Sequence, residues 1–201
     1  MRSVWVQVPL RVHFRFNMEE TKNLKLKVEH YKQLLNNTIS YREEWTKSLA
    51  QMIQQFLSDY SKAVGLELDI SHHKDIKNLE VISASLGRSK SGMEEIIEED
   101  TRRAIIKFNG MLLYQQLFNG KINVSIMLPV IEGIQEPPKP IQLGIYRPEE
   151  IKGAFILRHL ESFIKGISDW EDFDDDNQER VQIGFNHRIN AIMKDPPVTG
   201  E

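Results

Sequence analysis

The chain predicts an α+β fold, and three observations predict it. Two Asn-Gly pairs, Asn109-Gly110 and Asn119-Gly120, sit ten residues apart between apolar runs. A Lys- and Glu-rich stretch over 19–64 carries apolar residues at helical spacing. A second helical stretch follows Pro148. Antiparallel strands in series, flanked by helices at both ends, suit an α+β layer architecture rather than regular strand–helix alternation.

The first seventeen residues form a segment of their own. Val4, Val6, Val8, Leu10 and Val12 alternate with Trp5, Gln7, Pro9 and Arg11. This reads as an edge strand, because Pro9 has no amide to give to a ladder. The alternative is a mis-assigned start, with Met18 as the true first residue. Residues 18–64 follow as a helical segment. Leu24, Val28, Tyr31, Leu35, Thr38, Arg42, Trp45, Leu49, Met52 and Phe56 fall on alternating steps of four and three. That spacing predicts a coiled-coil-like seam, and it makes Leu24, Val28, Tyr31 and Leu35 candidate partner-binding residues. Ser40 and Glu43 have the spacing of a capping box. A break near Asn36-Asn37 is therefore expected, giving an antiparallel pair of helices or one bent rod. Gly65 is placed to end the second helix in a left-handed conformation.

Residues 65–194 read as a sheet domain. Short strands are expected at 66–70, 79–86 and 141–146, with a polar segment at 71–78 and a flexible basic loop at 87–92. Asn-Gly accepts the positive φ angles of a two-residue hairpin turn. Two such turns predict a three-strand meander over about 102–130. Phe108 would stand opposite Met111, and Phe118 opposite Lys121. This register pairs Ile106 with Leu113 and Leu113 with Ile126. It also gathers one apolar face from Ala104 to Leu128. The other face carries Ile105, Leu112, Tyr114, Phe118 and Met127, too apolar to be left in water. Residues 93–108 also fit a helix, because Ile97, Thr101, Ala104 and Phe108 form a helical stripe. The prolines at 137, 138 and 140 predict a stiff extended loop. Pro148 followed by Glu149 and Glu150 opens a helix in the preferred way. Its stripe is Ile156, Leu160, Phe163, Ile167 and Trp170. A last short strand at 181–185 and a disordered tail at 195–201 complete the expectation.

Composition excludes some chemistry and leaves the function open. The chain has no cysteine, which removes disulfides, thiolate catalysis and Cys-based zinc sites and fits a reducing cytoplasm. A net charge of −3 gives no global electrostatic reason to bind nucleic acid or an anionic membrane. No apolar run approaches the roughly 20 residues of a membrane helix. The acidic run at 169–176 makes Asp172, Asp174, Asp175 and Asp176 candidate ligands for a divalent cation, without the spacing of an EF-hand. Trp170 and Phe173 within it are candidate partner-binding aromatics. Arg88, Lys90 and Arg102 are candidate anion-binding residues, although the 87–92 loop lacks the order of a phosphate-binding loop. His72, His73, His159 and His187 stand in no recognisable catalytic or zinc spacing, and no catalytic residue is assigned. The reading that results is a non-enzymatic interaction or scaffold module, self-associating or bound to a protein partner, with no resident cofactor. The alternatives are a divalent-metal-dependent hydrolase or nuclease using 169–176, and a small-anion or nucleic-acid binder using 87–92.

Overall fold

The structure is a computed structural model that describes residues 21–98, 101–134 and 136–172. The expected segment 1–17, the strand at 181–185 and the tail at 195–201 lie outside the described residues. The chain divides into two units, residues 1–37 and 38–201.

The fold is α+β with antiparallel sheets. Helix α1 spans Lys22–Glu44, a π-helical segment spans Trp45–Leu49, and α2 spans Ala50–Ala63. The expected break at Asn36-Asn37 is absent, and the Ser40–Glu43 pair lies inside α1 rather than at a cap. The irregularity comes later. The Ala50 amide donates to the Trp45 carbonyl, five residues back, and this widens the helix locally. The buried stripe then runs Trp45, Leu49, Ile53, Leu57 and Ser61, in uniform steps of four. An unmodified α-helix drifts about 40° at each such step, so the wider turn helps keep the stripe facing one way. Gly65 ends α2 as expected. It takes φ +69°, and the Leu66 amide reaches back 2.8 Å to the Ser61 carbonyl, as in a Schellman motif.

The strands are β1 (Asp69–His73), β2 (Val81–Ser85), β3 (Arg88–Glu98), β4 (Thr101–Phe108), β5 (Met111–Gln116), β6 (Ile122–Met127), β7 (Val130–Ile131) and β8 (Ile141–Tyr146). One sheet has the order β1-β2-β5-β6-β8, the other β3-β4-β7, and every neighbouring pair is antiparallel. Residues 93–108 are therefore strand, not helix, apart from the undescribed positions 99 and 100. The expected loop at 87–92 is largely the start of β3.

The meander is corrected at both turns. Asn109-Gly110 does not close a hairpin. Strand β4 pairs with β3 and β7, whereas β5 pairs with β2 and β6. Two long strands, β2–β3 and β4–β5, run side by side and bend together where they pass from one sheet to the other. Ser85 faces Met111 before the bend and Arg88 faces Phe108 after it, with no change of register. At the bend the Leu86 amide donates to the Gly110 carbonyl and the Asn109 amide to the Gly87 carbonyl. Gly87 and Gly110 both take positive φ, +74° and +95°, so the two strands kink at adjacent rungs, Gly87 opposite Asn109 and Gly110 opposite Leu86. The Ile106–Leu113 pairing is accordingly absent.

Asn119-Gly120 does close a hairpin, but through three residues. The Leu117 amide bonds the Lys121 carbonyl at 2.7 Å and the Gly120 amide bonds the Leu117 carbonyl at 2.8 Å. Gly120 takes φ +77° as the left-handed residue of a three-residue loop. The extra residue shifts the pairing by one, so Leu112, not Leu113, faces Ile126. A one-residue slip exchanges the faces of a strand. Leu112, Tyr114 and Gln116 thus join Ile122, Val124 and Ile126 on the buried side. Helices α2 and α3 (Gly153–Glu171) cover this face, α2 over β1 and β2, α3 over β5 and β6.

The start of α3 is close to expectation. Pro148–Glu150 form a short 3-10 turn, with the Glu150 carboxylate accepting from the Arg147 amide at 2.6 Å, and α3 begins three residues later. Ile156, Leu160, Phe163 and Ile167 are buried as its stripe predicts. Burying side chains of this size contributes about 1.5–3 kcal/mol each.

Candidate functional site

Two groups of residues stand out in the described structure: a polar set inside the sheet's covered face, and the exposed face of α1. The first is built by the strand registers. His72 pairs with Ile82, Ile82 with Tyr114, and Tyr114 with Val124. Two rungs further along, the Gln116 amide donates to the Glu80 carbonyl, Gln116 pairs with Ile122, and Ile122 pairs with Tyr146. Polar and aromatic side chains are thereby brought to one end of the covered face.

At the β1–β2 side, Glu80 accepts two bonds through one oxygen. The Trp45 indole Nε1 donates at 3.0 Å, and the His72 Nε2 donates at 2.8 Å. Trp45 also meets the His72 ring edge-on at 6.1 Å. The carboxylate thus ties the π-helical segment to the sheet and satisfies the buried indole donor.

On the α3 side, the Tyr114 hydroxyl and His159 Nδ1 lie 3.1 Å apart in a buried contact. His159 is surrounded by the rings of Tyr146, Tyr114 and Phe155 at centroid distances of 5.2, 5.7 and 6.4 Å. Burial lowers the His159 pKa to about 4 and pushes the Tyr114 hydroxyl far up, with Tyr146 adding to the rise. Both are therefore neutral at pH 7. The hydroxyl donates to Nδ1, which assigns the proton on the imidazole to Nε2. Gln116 is only 1% exposed, and neither of its amide atoms has a hydrogen-bond partner among the described residues. A buried amide in that state costs about 1–3 kcal/mol. Glu80 and the Tyr114–His159 pair tie the helices to the covered face, and no cluster among the described residues has the make-up of a metal site.

The sequence-derived candidates are scattered. Arg88 and Lys90 lie on β3 and Arg102 on β4. Lys90 pairs with Ile106, four residues from Arg102, a separation of about 13 Å along a strand. Arg102 faces Glu94 at 3.6 Å. The three cations are thus spread along a ribbon rather than gathered in a loop. Asp172 is the exposed residue that ends α3, whereas Asp174, Asp175, Asp176 and Phe173 lie outside the described residues. Trp170 is half-buried beneath Lys107, whose Nζ stands 5.7 Å from the ring centroid and 2.7 Å from Glu171.

Leu24, Val28, Tyr31 and Leu35 share one face of α1, as their spacing predicts, and α1 buries no residue. Leu24, Tyr31 and Leu35 are 60%, 59% and 48% exposed. Lys25, Lys27 and Lys32 border them and are also exposed. The polar set on the sheet was missed by sequence reasoning, although one signal was there. His159 stands three residues after Ile156 and four before Phe163, inside the apolar stripe of α3. No protein-family model matches the chain, and comparison with curated proteins and with solved structures returns no match.

Proposed function

We propose that this chain is a protein-interaction module that presents α1 as a docking helix. One observation carries the reading: Leu24, Val28, Tyr31 and Leu35 form a seam at coiled-coil spacing, yet each is exposed. Leu34, beside Leu35, is exposed as well, so the apolar face extends past the four-residue seam. The buried polar groups point the same way. Tyr114 and His159 are used inside the core, so they support structure rather than a reaction.

The test separates a docking face from an internal one. In the double variant Val28→Gln, Leu35→Gln, the melting temperature should stay within about 2 °C of the wild type, because exposed substitutions change stability little. A fall of more than about 5 °C would show that the seam belongs to the fold, and the reading would fail.

A further inference from the structure

We infer that the occupant of the α1 seam is an amphipathic helix of another protein, one whose own apolar seam is flanked by glutamates or aspartates. This rests on the reading of α1 as a docking helix and adds the chemistry of its partner. In heptad terms Val28 and Leu35 are a positions, and Leu24 and Tyr31 are d positions. The flanking e positions are then Lys25 and Lys32, and the g positions are Lys27 and Leu34. All three lysines are exposed. Residues 22–37 carry four lysines against one glutamate, in a chain whose net charge is −3.

A second copy of the chain fits this pattern badly. In a parallel pair the g residue of one helix faces the e residue of the next heptad of its partner. Lys27 of one copy would then face Lys32 of the other. An antiparallel pair sets e against e, which again brings lysine to lysine, and g against g, which sets Lys27 against Leu34. Like charges at these positions select against the homotypic pair, and opposite charges select the complementary one. A lipid surface fits less well than a helix. Leu26 is exposed and lies on the side of α1 away from the seam, where a helix lying on a membrane keeps its polar face.

The probes are two synthetic three-heptad peptides with isoleucine at a and leucine at d. One carries glutamate at every e and g position, the other lysine. Each is labelled and titrated with the full chain by fluorescence anisotropy at low and high salt, while light scattering follows the mass of the chain alone. Anionic vesicles form a third arm. The glutamate peptide should bind and weaken with salt, and the lysine peptide should bind at least about tenfold more weakly. The double variant Lys27→Glu, Lys32→Glu, altered only at exposed positions, should invert that preference with its helical circular dichroism unchanged. Equal binding of both peptides would overturn the acidic-partner inference and leave the docking reading standing. Self-association of the wild type without peptide binding would do the same, with a second copy as the occupant. Tighter binding to the vesicles than to the glutamate peptide would overturn the inference in favour of a lipid surface. A monomer that binds neither peptide nor vesicle would overturn both readings.

Discussion

Helices α1 and α3 begin from the same kind of pattern and meet opposite fates. Each carries apolar residues three and four apart. On α3, Ile156, Leu160, Phe163 and Ile167 are buried against the sheet. On α1, Leu24, Val28, Tyr31 and Leu35 stay exposed. The stripe of α3 is widened by His159, which joins the core through the Tyr114 hydroxyl, and a wide stripe suits a sheet. The face of α1 is bordered by Lys25, Lys27 and Lys32, with Leu34 exposed beside Leu35. Periodicity alone shows that a face is apolar. Burial and the charge along the borders distinguish the two faces.

Substitutions should divide along the same line. The largest effect is expected from Phe163→Ala on α3, which empties a fully buried site and should cost about 3–5 kcal/mol in a denaturant titration. Next comes pH. His159 titrates near 4 in the folded chain and near 6.5 when unfolded. The unfolded chain therefore binds the proton more readily. The stability linked to this histidine is complete above about pH 6.5 and is lost as pH falls towards about 4, by about 3 kcal/mol. Replacing His159 with Phe should flatten that part of the stability profile, and an unchanged slope would show that another group is responsible. Gly110→Ala should cost about 1–3 kcal/mol through its positive φ. A Cβ there would also stand 2.5 Å from the Ile167 Cδ1 of α3 and 2.9 Å from the Met127 carbonyl oxygen. The smallest effect is expected from Leu35→Ala on α1, within about 0.5 kcal/mol of the wild type. A loss there comparable to that of Phe163→Ala would erase the contrast between the two helices.

Much of the fold was legible, and the misses have physical reasons. The α3 stripe, the Gly65 stop and the β5–β6 hairpin follow from periodicity and from where glycine is needed. The role of Asn109-Gly110 was not legible from its own sequence. A hairpin turn and a paired strand bend both require positive φ at the glycine, and what decides between them is Gly87 on the neighbouring strand, 23 residues earlier. The buried face of β5 was misassigned because the Asn119-Gly120 loop holds three residues instead of two, and one residue exchanges Leu113 for Leu112. The π-helical turn at Trp45 left no simple mark, since its hydrogen bonding depends on the sheet that Trp45, Leu49 and Ile53 pack against. Of the candidate site, the α1 seam was readable as a pattern. Its exposure was not, because exposure depends on what the rest of the chain leaves uncovered. Glu80, His72 and Trp45 meet only through the β1–β2 pairing and the helix above it.

Native-state hydrogen exchange, read helix by helix with and without the glutamate-flanked peptide, tests the central claim most directly. With the chain alone, the amides of residues 24–35 should open at a much lower free energy than those of the α3 core stripe. Adding the peptide should slow exchange in 24–35 and leave α3 unchanged. Protection of 24–35 equal to that of α3 in the chain alone, with no response to the peptide, would contradict it.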